Sequence, residues 1–243
     1  MNTFSLLENH DAPLVLLGGT LCNHRLWQPV VEQLNVSNVI SIIVTGADSA
    51  SAVARRLLAT LPARFCLVGF SLGAIVALQM MADAPQRLSG LALLSVNPFT
   101  DPPANVTGRR GAVREATRLG ISHWLTTTLW PRYVAPHRQC DLALHSTIVN
   151  MAVESGIDTL IHQTEIAITR ADHRVVLPMF TAPLLIINGA SDAICTPEHH
   201  QAIASAAPRA RWITLPDSGH FLPLEAPQQV AIALRNWIQE SKS

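Results

Sequence analysis

The 243-residue sequence predicts an α/β fold: a mostly parallel sheet of about six strands, helices on both faces, and a long helical insertion past the middle. Three observations predict it. Short apolar runs alternate with helical patterns along most of the chain, the signature of βαβ units. Most of these runs are continuously apolar, as strands are when helices cover both faces of a sheet. One stretch, residues 102–178, carries amphipathic helical patterns and no convincing strand. The composition agrees, because 49% apolar and 14% charged residues suit one domain with a large core and argue against disorder.

Strands are expected at Leu14–Leu17, Val39–Val44, Phe65–Gly69, Leu91–Ser95, Leu184–Asn188 and Arg211–Leu215. Helices are expected at Trp27–Leu34, Ala50–Leu61, Leu72–Ala82, Glu198–Ala206 and Pro227–Ile238. Thr196-Pro197 and Ala226-Pro227 mark helix starts, where the missing N–H of proline costs nothing. Within the insertion, Arg110–Leu119 and Asp141–Val153 read as helices. Residues 1–101 and 179–243 therefore form the expected core, and residues 102–178 the expected cap. Such a cap would cover the carboxyl edge of the sheet, where open α/β sheets bind ligands.

Seventeen basic and seventeen acidic residues give a net charge of zero, so no global field favours nucleic acid or an anionic membrane as partner. A small-molecule substrate is the expected partner, and the sequence carries no signal for an oligomeric state. Cys22, Cys66, Cys140 and Cys195 lie far apart and form no CxxC pair, which predicts reduced thiols. Neither a signal peptide nor an apolar run approaching the ~20 residues of a membrane span is visible, so the cytoplasm is the expected location.

The segment Gly69-Phe70-Ser71-Leu72-Gly73 joins an expected strand directly to an expected helix. That junction forces a sharp turn, and the residue at its tip takes strained backbone geometry with its side chain exposed. Side chains two positions either side of the tip would collide, so glycine is required at both. The helix start then aims N–H groups and a positive dipole end at whatever sits beside Ser71. The bare pattern is also that of an ordinary strand–helix turn, and context decides between the two. Asp192 follows one downstream strand in Asn188-Gly189-Ala190-Ser191-Asp192, and His220 follows the next in Asp217-Ser218-Gly219-His220. All three side chains are thus expected at one sheet edge. A serine hydroxyl becomes a nucleophile when an imidazole takes its proton, and a carboxylate on the far ring nitrogen fixes the tautomer. Asp101 is the reserve acid, while Asp217 is expected to serve its own turn.

Gly18-Gly19-Thr20 follows the first strand. Tandem glycines let backbone approach a ligand and aim N–H groups at it. The N–H groups of Thr20 and Leu72 are the expected donors to a charged carbonyl oxygen. A phosphate-binding loop is the competing reading, and it fails because neither GxxxxGK[ST] nor GxGxxG is present.

Taken together, the glycine loop running to Trp27, the GFSLG turn, the GASD segment and SGHFLPLEAP in this order resemble the α/β-hydrolase superfamily, in its branch of small bacterial esterase-like enzymes with a helical cap. The resemblance spans nearly the whole chain. It implies an α/β-hydrolase fold, a triad of Ser71, Asp192 and His220, and oxyanion donors at Thr20 and Leu72. Two departures stand out: Gly18-Gly19 replaces the His-Gly of many relatives, and only thirteen residues precede the first core strand. The antiparallel hairpin that usually begins such a sheet is therefore expected to be missing.

Leu21, Phe99, Trp124, Leu125 and Trp130 are candidate apolar residues for the substrate pocket. Arg110, Arg114 and Arg118 share one helix face, which is read as a solvated face in preference to a carboxylate grip. His199-His200 suggests no metal, since adjacent residues at a helix start diverge, and no cofactor or metal is implied. The expected activity is hydrolysis of a carboxylic ester, lactone or thioester of a small to medium acyl group through an acyl-enzyme. C–C hydrolysis, lyase chemistry or acyl transfer on the same scaffold is the alternative, as is a non-catalytic ligand-binding protein.

Overall fold

The computed structural model describes residues 12–241. Six strands form one parallel sheet: β1 (Leu14–Leu17), β2 (Val39–Ile42), β3 (Phe65–Phe70), β4 (Leu88–Leu94), β5 (Leu184–Gly189) and β6 (Arg211–Leu215), in the order β2-β1-β3-β4-β5-β6. The helices are α1 (Gln28–Leu34), α2 (Ala50–Thr60), α3 (Leu72–Asp83), α4 (Asn105–Leu119), α5 (Ile121–Trp124), α6 (Trp130–Tyr133), α7 (Leu142–Ile168), α8 (Pro197–Ala206), α9 (Leu222–Glu225) and α10 (Pro227–Glu240). Among the described residues no helix is long and apolar enough to cross a membrane. The expectation of a missing hairpin falls on residues 1–11, outside the described residues.

Side-chain alternation along the strands divides the core in two. Leu14, Leu16, Val68, Phe70, Ala92 and Ile187 face one side with α1 and α10. Val15, Leu17, Leu67, Leu91, Leu93 and Ile186 face the other with α2, α3 and α8. The four inner strands are covered on both faces, which explains their continuous apolarity. The edge strands β2 and β6 keep exposed or half-exposed residues throughout most of their length, including Ser41, Arg211 and Thr214.

Strand limits differ from expectation for local reasons. β2 ends at Ile42, not Val44, because its one neighbour, β1, ends opposite it at Leu17. β4 starts at Leu88, since Leu88 still pairs with Phe65 despite the Ser89-Gly90 interruption, and it ends before Ser95, whose φ of 49° turns the chain away. Between β4 and β5 the chain forms only helices and turns. There α7 continues fifteen residues beyond the expected Val153, through a kink at Gly156 with φ 79° and ψ 170°. These angles are not helical, so α7 is two helical segments that meet at Gly156, a backbone conformation that glycine adopts without strain.

His200, fully buried on α8, ties that helix to the end of β4. Its Nε2 accepts from the Val96 N–H at 3.0 Å, and its Nδ1 donates to the Thr196 carbonyl at 3.0 Å. A protonated ring has no acceptor left for Val96, and burial pushes the imidazole down to about 4. The folded state therefore binds fewer protons than the unfolded one between about pH 6.5 and pH 4. This contribution is complete above pH 6.5 and is lost as the pH falls toward 4. The stability gap between wild type and His200→Asn should narrow by a few kcal/mol across that window, read from urea midpoints. A constant gap would show that His200 does not titrate there.

Candidate active site

Ser71 stands between β3 and α3 with φ 52° and ψ −112°, the strained tip that the turn demands. A Cβ at position 69 would come within 2.5 Å of the Ala74 Cα, and one at position 73 within 2.4 Å of the Leu17 carbonyl oxygen. Backbone lines both approaches, so nothing there can yield. His220 follows β6 and Asp192 follows β5, and all three side chains meet at the carboxyl edge of the sheet.

The Ser71 hydroxyl donates to His220 Nε2 at 2.9 Å, and His220 Nδ1 donates to Asp192 Oδ2 at 2.8 Å. The other Asp192 oxygen accepts the N–H groups of Ile194 and Cys195, each at 2.8 Å. Burial by itself would raise the Asp192 carboxyl, but the His220 ring and these two N–H groups outweigh it and hold the group below its usual range. The carboxylate is thus ionised at neutral pH, and it permits only the ring tautomer whose Nε2 lone pair faces Ser71.

The imidazole is held on several sides. The Tyr133 ring stacks over it at 5.9 Å with an interplanar angle of 22°, and Phe70 lies 5.2 Å away. The Tyr133 carbonyl accepts the N–H groups of both His220 and Phe221. Glu225 Oε2 joins the N–H groups of Ala135 and Gly219, and Ser95 Oγ donates to the His220 carbonyl at 2.9 Å. Burial raises the Glu225 carboxyl despite these backbone donors.

At the glycine loop, Leu72 opens α3 and so has no acceptor for its N–H within the helix. Thr20 and Leu72 both line the cavity beside Ser71. The neighbouring Leu21 N–H, by contrast, is taken by Gln163 Oε1 at 2.8 Å, and Gln163 also donates to the Val44 carbonyl at 2.7 Å. Gln163, on the late part of α7, thereby fixes the loop from the helical insertion.

A cavity of about 350 Å³ opens on Ser71 and His220, within the range of small-molecule sites. Trp124 lines it, with Ile75, Val113, Leu129 and Leu160. Four other expected lining residues stand elsewhere. Leu21 and Leu125 are buried in the core outside the cavity wall. Trp130 packs edge-on against His145 at 4.8 Å and donates to the Gln139 carbonyl. Phe99 sits between His199 and the Arg174 guanidinium, which lies 4.1 Å over its ring.

The rival acids are occupied or remote. Asp101 accepts from Arg109 at 2.6 and 2.9 Å and from Arg170 at 3.1 Å, while Asp217 is exposed. Arg110 pairs with Glu165, and Arg114 and Arg118 face solvent. Asp192, Cys195 and His220 are the group whose ligand-type atoms lie within 4.8 Å of one another among the described residues. The carboxylate and imidazole are committed to each other, and burial pushes the Cys195 thiol well up. That set suits proton transfer better than metal binding.

A hydroxyl, an imidazole and a carboxylate are thus joined in series at the carboxyl edge of a parallel sheet, a geometry in which the ring can take the hydroxyl proton. The chain belongs to the alpha/beta hydrolase family, whose model matches residues 15–233. It is similar to a pimeloyl-acyl-carrier-protein methyl ester esterase of Yersinia pseudotuberculosis, at 24% identity over 96% of this chain and 95% of that one. In fold it is similar to a thermophilic esterase of Thermogutta terrifontis, with a TM-score of 0.84 and 24% identity over 96% of this chain and 91% of that one. An enol-lactonase of Burkholderia xenovorans LB400 matches with a TM-score of 0.81 and 22% identity, covering 96% and 94% of the two chains.

Proposed function

We propose that the protein hydrolyses a carboxylic ester of a small to medium acyl group, with Ser71 as nucleophile, His220 as general base and acid, and Asp192 as the group that orients the ring. The observation that carries this is the continuous relay from Ser71 Oγ to His220 Nε2 at 2.9 Å and from Nδ1 to Asp192 at 2.8 Å. An esterase among the curated relatives, matched over nearly its full length, supports the choice of bond.

In this reading Ser71 Oγ attacks the ester carbonyl while His220 takes its proton. The charged oxygen of the tetrahedral intermediate is held by the N–H groups of Thr20 and Leu72, each donor being worth about 3 kcal/mol of barrier. The intermediate collapses, the C–O bond to the alcohol breaks, and His220 returns the proton to the leaving alcohol. Water, deprotonated by the same imidazole, then attacks the acyl-enzyme and releases the acid and free Ser71. Residues 102–178 act as a cap that shapes the acyl or alcohol site, over a core drawn, among the described residues, from 12–101 and 179–241.

Wild type should hydrolyse p-nitrophenyl acetate or butyrate, and a fluorophosphonate should label Ser71 alone. Ser71→Ala should lose nearly all of both, and His220→Ala should slow labelling sharply. Hydrolysis that survives in Ser71→Ala, or labelling indifferent to His220, would remove the basis for these roles.

A further inference from the structure

The wall of the cavity is electrostatically one-sided. Arg109, Arg132 and Arg170 all line it, and no Asp or Glu does among the described residues. Two carboxylates stand close behind. Asp101 is shared between Arg109 and Arg170, and Asp192 is committed to His220 and two backbone N–H groups. Three guanidiniums thus meet two spoken-for carboxylates, in a chain whose net charge is zero. The excess is local.

Arg132 is the cation with no acid. It lies on α6 beside Tyr133, whose ring covers His220, and it donates through Nη2 to the Ala193 carbonyl at 3.1 Å. That single neutral contact leaves most of its five N–H donors unspent. Arg109 grips Asp101 through Nε and Nη2, which leaves its Nη1 hydrogens unspent. Arg170 is different: its Nε, Nη1 and Nη2 serve the Phe99 carbonyl, the Ala167 carbonyl and Asp101, so it braces the cluster. A positive wall around a partly enclosed site favours an anion, and planar guanidiniums with free edges match a carboxylate.

We infer that the substrate carries a carboxylate several bonds from the scissile carbonyl, and that Arg132 and Arg109 bind it inside the cavity. The position of the scissile bond rests on the ester-hydrolase reading; the anion site itself does not.

Two matched esters test this, mono-p-nitrophenyl adipate and p-nitrophenyl hexanoate, which share an acyl chain length and differ in the terminal carboxylate. The adipate hemiester should be favoured at least tenfold in kcat/KM, mainly through KM, and the preference should shrink as salt is raised. Arg132→Gln should reduce that ratio at least tenfold, and Arg132→Lys should restore part of it. In parallel, adipate binding to Ser71→Ala is measured by calorimetry against hexanamide. Tighter binding of adipate, weakened by Arg132→Gln, supports the anion site even if neither ester is turned over, an outcome that would count against the ester reading alone. A hemiester disfavoured or merely equal, with adipate binding untouched by Arg132→Gln, overturns the inference.

Discussion

Asp192→Asn is expected to lower kcat by about four orders of magnitude with little change in KM. The amide preserves shape and can still accept the N–H groups of Ile194 and Cys195 through one oxygen, so the turn after β5 should survive. What changes is the atom facing His220 Nδ1, where an amide N–H replaces a carboxylate oxygen. The ring must then carry its proton on Nε2, and Ser71 meets an N–H instead of a lone pair. Because the loss lies in proton transfer, it should appear in kcat at saturating substrate, with circular dichroism and melting temperature close to wild type. A loss below tenfold would point to another acid, with Asp101 the first to examine.

Asp101→Ala should instead strike stability. Arg170 has its side chain 3% exposed, and Asp101 is its ion-pair partner among the described residues. Removing one member of a buried pair strands the other, at a cost of about 3–5 kcal/mol. For a domain of this size that corresponds to a fall in melting temperature of about 10 °C, measurable by calorimetry. The Arg109 pair counts for less, because its guanidinium side is 37% exposed and solvent screens it. A shift under about 2 °C would mean that water or the Phe99 and Ala167 carbonyls satisfy Arg170 unaided.

Ser71, Asp192 and His220 were legible in the sequence because each follows an expected strand and has glycine in the turn beside it. A parallel sheet brings such ends together regardless of the length of chain between them. The wall of the cavity was not legible. On α4 the stripe Arg110, Arg114, Arg118 was visible as a repeat, yet the cavity is met by Arg109, Ala112 and Val113. One residue is a rotation of 100° about the helix, and that phase is set by what the helix packs against. Gln163 was missed because the expected helix stopped at Val153, ten residues short, and a polar residue on an apolar helix face was the available signal. Phe99 and Trp130 were candidates as apolar residues of the pocket, but an aromatic ring packs as readily on a neighbouring side chain, as Trp130 does on His145 and Phe99 does beneath Arg174.

The strap at Tyr133–Ala135 is stitched to the turn bearing His220 by the Tyr133 carbonyl and the Glu225 carboxyl. Any displacement of that strap would carry the imidazole away from Ser71. The lining of the cavity and the aim of the imidazole are in this way mechanically joined, since Tyr133 belongs to both.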